Sequence, residues 1–408
     1  MVAEPRAARR AWLVVGLTAA SACVSQAFGR FTYSLLFTDV RDDLGVSNTM
    51  AGAIGSANLA AYLCGSLAVG LVVGRLGLAR TLTTGITGST IGLMVLAWGP
   101  SLPVVFTATA ATGFFGAFVW ISGPGLATAA LGPARRGMAV GVIGAGIGIG
   151  IVMASLLASA TTVESWRRVY LVEAAVGSAV AIGVVGWLRP EVSGPDGQAR
   201  ADHANAARTR GGPVPRVGLG AIADVPGWAG LLVAYALFAL ALTSFLTFTV
   251  AVLVEDADWT KPQAAAAFTL LGIGTVLGGP IFGPLSDRLG RATVLVMAFV
   301  VIAAAGLVLP LGWRPWSLVA AFGFGMAFTG IPTTVTARVS DYVSAERFGA
   351  AYSTATLAFG VGLLIGPQLG GVLADRTGSF RPAFAVVVAC AVSGAALALH
   401  QPRGGPSP

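Results

Sequence analysis

The stretch Gly283-Pro284-Leu285-Ser286-Asp287-Arg288-Leu289-Gly290-Arg291 lies between two long apolar runs and is the most informative part of the chain. It places one carboxylate, two guanidiniums and two glycines in what we expect to be a loop too short to leave a membrane surface. A soluble protein rarely needs such a loop. The stretch therefore suits a membrane protein in which two bundles of helices move against each other.

The composition predicts a protein that crosses a membrane many times. Hydrophobic residues make up 55% of the 408 residues and charged residues only 10%, whereas about 25% of the residues in soluble domains are charged. Apolar runs of roughly 20 residues, the length that spans a bilayer, recur along the whole chain. The net charge of +8 is scattered between these runs, so we expect no nucleic-acid-binding surface. The three cysteines and two histidines form no metal-binding or catalytic pattern, and we expect no metal and no cofactor.

The apolar runs predict twelve transmembrane spans and their orientation. With both termini inside, the inner segments hold 17 of the 25 Lys and Arg residues and the outer segments hold seven. Basic residues favour the cytoplasmic side, so this asymmetry predicts cytoplasmic termini. The predicted spans are 11–38, 48–73, 81–98, 102–131, 138–160, 166–188, 226–254, 263–285, 292–311, 316–338, 349–374 and 380–400.

A polar stretch divides these spans into two halves. Residues 189–225 are rich in Gly, Pro and charged residues, which is typical of a flexible linker. We therefore expect an N-terminal six-helix bundle at 1–188 and a C-terminal one at 226–408. The halves repeat, because Gly70-x-x-x-Gly74-Arg75-x-Gly77 matches Gly283-x-x-x-Asp287-Arg288-x-Gly290 at an offset of 213 residues.

The pattern G-x-x-x-D-R-x-G-R resembles the signature loop of the major facilitator superfamily. The resemblance implies an all-α membrane protein in which twelve transmembrane helices form two pseudo-symmetric six-helix bundles. It also implies that Asp287 faces the positive N-terminal end of a helix near Gly137, close to Arg135 and Arg136, and helps to close an inner gate. A solvated turn is the alternative, and Gly74 stands where the family usually has Asp. The gating candidates are Gly283, Asp287, Arg288, Gly290, Arg291 and Arg75.

The fourth and tenth spans carry prolines at matching places, in Gly123-Pro124-Gly125 and Gly330-Ile331-Pro332. We expect both helices to be interrupted there, and paired interruptions indicate a central substrate site. In the resembled fold, spans 1, 4, 7 and 10 line the cavity, although many of their aromatic residues must face lipid or neighbouring helices. The substrate-binding candidates are Arg30, Tyr33, Phe118, Trp120, Tyr235, Phe238 and Phe328.

The eleventh span contains the string Gly362-x-x-x-Gly366-Pro367-x-x-Gly370-Gly371. Small residues at this spacing allow helices to approach closely, and the proline permits bending, so we favour a packing role. A similar string marks drug–proton antiporters of the superfamily, but there it lies in the fifth span. Those antiporters often also carry an Arg in the fourth span, where this chain has Thr109.

Two ionisable residues lie inside predicted spans, where a charge costs several kcal/mol unless it is paired or hydrated. Arg30 is either an anion or gating contact or a structural residue. Glu173 is either a proton carrier or a structural counter-ion. Arg30 and Glu173 both fall in the outer half of the predicted bilayer, at a depth where their side chains could come into contact.

Finer strings resemble the YbfB/YjiJ-type bacterial branch of the superfamily: Gly29-Arg30-Phe31-x-Tyr33, Leu44-Gly45-x-Ser47-x-x-x-Ala51-Gly52 and Asn58-x-x-x-Tyr62-x-x-Gly65. Our leading hypothesis is alternating-access, proton-coupled transport of a small organic solute by a monomer in the bacterial inner membrane. The first alternative is proton-driven efflux of a drug-like compound or secondary metabolite. A polytopic sensor or membrane enzyme is the weaker alternative.

Overall fold

The computed structural model describes residues 5–132, 136–160, 165–188, 219–343 and 345–401. Its helices are α1 (Pro5–Ala22), α2 (Thr32–Leu35), α3 (Phe37–Leu44), α4 (Asn48–Trp98), α5 (Leu102–Leu131), α6 (Arg136–Ser159) and α7 (Trp166–Trp187). They continue as α8 (Leu219–Ile222), α9 (Trp228–Ala251), α10 (Lys261–Leu289), α11 (Arg291–Val308), α12 (Arg314–Tyr342), α13 (Ala345–Thr377) and α14 (Arg381–Leu399). π-Helices at Cys23–Phe31 and Val252–Asp256 follow α1 and α9, and a 3-10 turn at Leu309–Leu311 follows α11.

The membrane-spanning helices agree with the predicted class. In the described residues, 11 helices are long and apolar enough to cross a membrane. One of them, α4, is 51 residues long and changes direction at Gly77, so it holds two of the predicted spans. The twelve-helix, all-α prediction is therefore confirmed. Residues 189–218 of the predicted linker lie outside the described residues.

The chain forms two compact units. The first comprises Met1–Tyr33, Ala57–Leu157 and Thr161–Val214, and the second comprises Ser34–Ser56, Ala158–Ala160 and Pro215–Pro408. In the first unit, α1 and its π-helix pack against α5 and α7. In the second, α10 packs on α12, α9 on α13 and α14, and α11 on α14. The segment 34–56 comes early in the sequence yet belongs to the second unit.

The stretch Gly283–Arg291 is a helix end rather than the loop that we expected. The helix α10 continues through Pro284 to Leu289, and α11 begins at Arg291. Gly290 alone makes the turn, with φ 87° and ψ 147°. Gly77 makes the equivalent turn in α4, with φ 75° and ψ 163°. Residues with a Cβ rarely adopt this positive φ, which explains why both copies of the repeat carry glycine at this position.

The expected interruptions in the fourth and tenth spans are not formed. The helix α5 is continuous through Pro124, and α12 is continuous through Pro332. A proline inside a helix removes one backbone hydrogen bond, but membrane helices tolerate this loss where neighbouring helices and hydroxyl side chains support the turn. Ser122 donates a hydrogen bond to the carbonyl of Phe118 in the turn before Pro124. Gly330 brings the α12 backbone against the ring of Phe282.

Candidate functional site

The π-helix Cys23–Phe31 is the most unusual local structure in the first unit. Its residues are buried except Arg30, which is half-buried in the last turn. The backbone N–H of Thr32 bonds the carbonyl of Ala27, five residues earlier, as a π-turn requires. π-Turns within helices occur frequently at functional sites, because they alter the direction of side chains and backbone carbonyls.

Asn58 ties this π-helix to two other helices. Its side-chain amide donates to the carbonyl oxygens of Gly29 and Thr109, at 3.0 and 2.8 Å, and to the hydroxyl of Thr112 at 3.0 Å. The Thr112 hydroxyl itself donates to the Gly29 carbonyl at 2.8 Å. A Cβ on Gly113 would lie 2.0 Å from the Asn58 carbonyl oxygen, so the helices approach closely here. The polar contacts hold the π-turn in a fixed position.

These contacts account for the string Asn58-x-x-x-Tyr62-x-x-Gly65. One turn beyond Asn58, the ring of Tyr62 lies 5.9 Å from the guanidinium carbon of Arg30. A Cβ on Gly65 would lie 2.2 Å from the carbonyl oxygen of Phe114 on α5, so a larger residue would force α4 and α5 apart. The string therefore lies on one face of α4 and serves both packing and the placement of Tyr62.

The cation of Arg30 contacts rings rather than a carboxylate. Its guanidinium carbon lies 5.6 Å from the ring centroid of Phe31 and 5.9 Å from that of Tyr62. Among the described residues, Arg30 forms no ion pair. Glu173 is the only acidic residue in the described part of the first unit. Within the described residues, the Arg30 cation therefore contacts two aromatic rings, which offset part of its charge.

Glu173 lies on α7 with none of its surface exposed. The hydroxyl of Thr32 donates a hydrogen bond of 2.5 Å to its Oε1 atom. Its Oε2 atom is buried and has no hydrogen-bond partner in the described part of the chain. The contact that we expected between Arg30 and Glu173 is not formed as an ion pair in this structure.

The other substrate-binding candidates pack mainly within their own units. The Phe118 ring packs at tilted angles against the rings of Phe114 and Phe115, and a Cβ on Gly85 would lie 2.7 Å from the Phe118 Cβ. Tyr235 and Phe238 are buried and pack around the ring of Phe359. Tyr33 is also buried, Phe328 is half-buried, and Trp120 is 37% exposed. The sequence could not separate the packing aromatics from those open to a ligand.

The stretch Gly283–Arg291 forms a local network of charges. Arg291 donates to Asp287, to Ser286 at 2.6 Å and to Asp341 at 3.0 Å. The Asp287 side chain is 65% exposed. Arg288 and Arg75 are also exposed. The predicted partner region near Gly137 includes Arg135, which lies outside the described residues, so the gate role of Asp287 stays a prediction.

A second charged contact was missed by the sequence analysis. The carboxylate of Asp375, near the end of α13, accepts from the backbone N–H groups of Asn48 and Thr49, at 2.9 and 2.7 Å. It also accepts from the Thr49 hydroxyl. The first N–H groups of a helix have no partner within the helix, so an external carboxylate both satisfies them and favours the helix dipole. Asp375 therefore caps α4 from another helix of the second unit.

Below this cap, α4 and α13 approach closely. A Cβ on Gly52 would lie 2.4 Å from the Pro367 carbonyl oxygen, and a Cβ on Gly371 would lie 2.4 Å from the Asn48 carbonyl oxygen. Ser56 donates to the Leu364 carbonyl at 3.0 Å. We call this contact the α4–α13 seam; it comprises residues 48–56 of α4 and Leu364, Pro367, Gly371 and Asp375 of α13.

The remaining small residues of the eleventh span face α9. Added Cβ atoms would lie 2.0 Å from the Ala236 carbonyl oxygen at Gly362, 2.1 Å from the Thr243 hydroxyl at Gly366 and 2.1 Å from the Phe248 ring at Gly370. Two faces of α13 thus need glycine for close packing. The string has a structural cause and does not indicate the direction of transport.

Two ion pairs lie beside the seam. Lys261 pairs with Asp39, and Arg41 pairs with Glu255 at 2.8 Å. Burial raises the pKa of the Asp39 carboxyl above its ordinary value, although the hydrogen bond and charge of Lys261 oppose this shift. The sequence alone does not predict either ion pair, because the two residues of each pair are separated by more than 200 positions.

The fold is that of a major facilitator superfamily transporter. A solved structure titled as the nucleoside transporter NupG matches with a TM-score of 0.75 and 15% identity, over 95% of this chain and 99% of that one. At this identity the match establishes the fold alone. Together with the membrane-spanning helices, this fold describes a multi-pass integral membrane protein.

The chain belongs to the family described as "Uncharacterised MFS-type transporter YbfB", which matches residues 22–399. It is 24% identical over 356 residues to the uncharacterized MFS-type transporter YceJ of Bacillus subtilis, covering 86% of each chain. It is 25% identical over 162 residues to the multidrug resistance protein MdtG of Proteus mirabilis, covering 40% of each. The predicted superfamily and branch are thereby confirmed.

Proposed function

We propose that this protein is a proton-coupled secondary transporter that moves a small organic solute by alternating access. The observation that carries the coupling is the environment of Glu173, a fully buried carboxyl whose Oε2 atom has no described partner. A charge at such a depth costs several kcal/mol unless it is paired. A carboxyl that is protonated during part of the cycle is neutral in that part, so the cost of burying a charge is absent there.

The position of Glu173 supports a link between protonation and helix movement. Its hydrogen bond comes from Thr32, the residue directly after the π-helix that carries Arg30. Thr32 can donate to a carboxylate oxygen or to the carbonyl oxygen of a protonated carboxyl. Loss or gain of the proton therefore changes the strength of a contact between α7 and the first membrane helix.

The alternating movement would involve two charged contacts of the second unit, the Asp375 cap on α4 and the Asp287 network. We propose that the α4–α13 seam closes the outer side and that the Asp287 network belongs to the inner gate. The basic-residue asymmetry supports an orientation with both termini in the cytoplasm. Reporter fusions after Arg210 and near Asp256 test this orientation, since the first should be cytoplasmic and the second external. External labelling of a cysteine at position 210 would contradict it.

The coupling can be tested in proteoliposomes that contain a pH-sensitive dye. Organic acids, bases and neutral solutes are added in turn, and proton movement and solute counterflow are recorded. We expect Glu173→Gln to abolish solute-dependent proton movement while retaining counterflow, and we expect Asp258→Asn, an exposed control, to retain both. Unchanged proton movement in a folded Glu173→Gln protein would remove Glu173 from the coupling. Absence of counterflow for every solute in the wild type would argue against the carrier function.

Efflux of a drug-like compound is the second candidate. The partial match to a protein named for multidrug resistance favours it, although that match covers only 40% of the chain. The two candidates differ in the direction of solute movement relative to proton movement. Solute accumulation in vesicles with an acidic interior would show exchange against protons and would favour efflux, whereas accumulation in vesicles with an acidic exterior would show symport.

A further inference from the structure

Within the described part of the first unit, no acidic side chain forms an ion pair with Arg30. An arginine stays protonated in a protein, so its charge must be offset within the membrane. The only acidic residue in the described part of this unit, Glu173, receives its hydrogen bond from Thr32 and forms no ion pair with Arg30. The rings of Phe31 and Tyr62 offset part of the charge but offer no anionic oxygen.

The polar side chains around Arg30 have structural partners. The Gln26 amide donates to the carbonyl of Gly116 at 3.0 Å, and the Asn58 amide donates to Gly29, Thr109 and Thr112. Their contacts fix the backbone on either side of Arg30 without hydrogen-bonding its guanidinium. The side chain of Arg30 is half-buried, whereas the residues directly before and after it, Gly29 and Phe31, are buried. Arg30 is therefore a positioned cation whose guanidinium donates no hydrogen bond to the residues that the structure describes.

We propose that Arg30 binds an anionic oxygen group of the transported solute, and that the solute is a small organic anion. The planar guanidinium can bond two oxygens of one carboxylate or phosphate at once. The flanking rings of Phe31 and Tyr62 suit an apolar body next to the anionic group. This inference rests on the proposed transport function and names the substrate class for the same site.

The inference also gives the coupling a charge balance. One monoanion that moves with one proton carries no net charge across the membrane. Arg30 would hold the anion, and Glu173 on α7 would hold the proton. The two are linked by Thr32, which lies two residues after Arg30 and donates its hydrogen bond to Glu173. No covalent bond forms or breaks in this cycle; one proton is taken up on one side and released on the other.

A binding assay on the purified full-length protein tests the proposal. The probes are benzoate, phenyl phosphate, benzamide and benzyltrimethylammonium, which share an aromatic body and differ in the polar group. Their effect is read as the shift of thermal unfolding and as the dissociation constant from titration. We expect benzoate or phenyl phosphate to bind and the neutral and cationic probes not to bind, and comparison of the two anions identifies the preferred group.

The variants separate binding from structure. Removing a charge-assisted pair should weaken anion binding about tenfold or more in Arg30→Gln, with a smaller loss in Arg30→Lys. The exposed control Arg80→Gln should bind as the wild type does. Equal anion binding in folded Arg30→Gln would overturn the proposal, and so would binding of the cationic probe alone.

Arg30→Gln can instead fail to fold. In that case the double variant Arg30→Gln/Glu173→Gln decides: if it folds and the single variant does not, Arg30 has a structural role and the proposal is wrong. If the double variant also fails to fold, Arg30→Lys decides: weaker binding of the anion supports the proposal, and binding equal to that of the wild type contradicts it. The proposed function can fail separately, because anion binding without any counterflow would leave the site intact and remove the transport claim. Counterflow of a cation would do the reverse.

Discussion

The cap that Asp375 places on α4 makes a quantitative prediction. The substitution Asp375→Asn keeps one oxygen acceptor but removes the charge and the second acceptor, which now serve Asn48, Thr49 and the Thr49 hydroxyl. Loss of a helix-capping acceptor costs about 1 kcal/mol, and loss of the charge at a helix N-terminus costs about 0.3–1 kcal/mol. Because Asp375 is exposed, solvent screening keeps the total near about 1 kcal/mol. A change of this size shifts an equilibrium roughly fivefold.

Labelling of a cysteine at position 56 measures this shift. Ser56 lies within the α4–α13 seam and donates to Leu364, so a cysteine there should react slowly with an aqueous maleimide while the seam is closed. The background should lack Cys64, which is exposed. We expect labelling to be about fivefold faster with Asp375→Asn. The same substitution at Asp287, outside the seam, should not increase the rate.

Equal labelling rates with and without the Asp375 charge would refute the reasoning. The cap would then be a static surface contact that contributes nothing to opening. Faster labelling accompanied by a lower unfolding temperature of the whole protein would also fail to support a local effect, so thermal unfolding must be recorded for each variant. Thr49→Val, which removes only the hydroxyl contact, should give an intermediate rate.

Three further predictions follow from packing, hydrogen bonding and charge. Gly366→Val should destabilise the protein by more than about 2 kcal/mol, because its Cβ would overlap the hydroxyl of Thr243, whereas Gly70→Ala, with open space around its Cβ, should not lower the unfolding temperature. Asn58→Ala should cost about 1–3 kcal/mol in an unfolding assay, since it removes three buried hydrogen bonds that join α4 to the π-helix and to α5. Burial holds the pKa of Asp39 above its ordinary 3.8, so its contribution to stability is present below that value and falls as the pH rises through the folded-state pKa. Asp39→Asn should flatten that part of the stability–pH curve, and an unchanged curve would contradict it.

The membrane class could be predicted because it depends on local sequence. Length and apolarity of each run are sufficient to recognise a spanning helix, and the matching glycines Gly77 and Gly290 reveal the repeat. The same kind of local signal predicted interruptions within helices that do not form. Pro124 and Pro332 did not interrupt their helices, because the packing around a proline, which the sequence does not display, determines whether a helix continues through it.

The polar contacts could not be predicted in the same way. Asp375 and Asn48 are 327 positions apart, and their contact depends on how α13 lies against α4. Glu173 and Arg30 were each recognisable as ionisable residues inside spans, but their partners were not. The π-helix had no sequence signal at all, since its residues would fit an α-helix equally well by composition.

The π-helix also gives the first membrane helix a tolerance to one change in its length. A π-turn accommodates one additional residue within a helix, so the residues on either side of it keep the faces that an α-helix would give them. Deletion of one residue between Cys23 and Phe31 would therefore convert the segment to an α-helix and leave Val14, Val15 and Thr18 on their buried face. Insertion of a further residue would instead rotate these three side chains by about 100° relative to Arg30. The additional residue thus sets the direction of Gly29 and Arg30 and is not needed for the packing of α1.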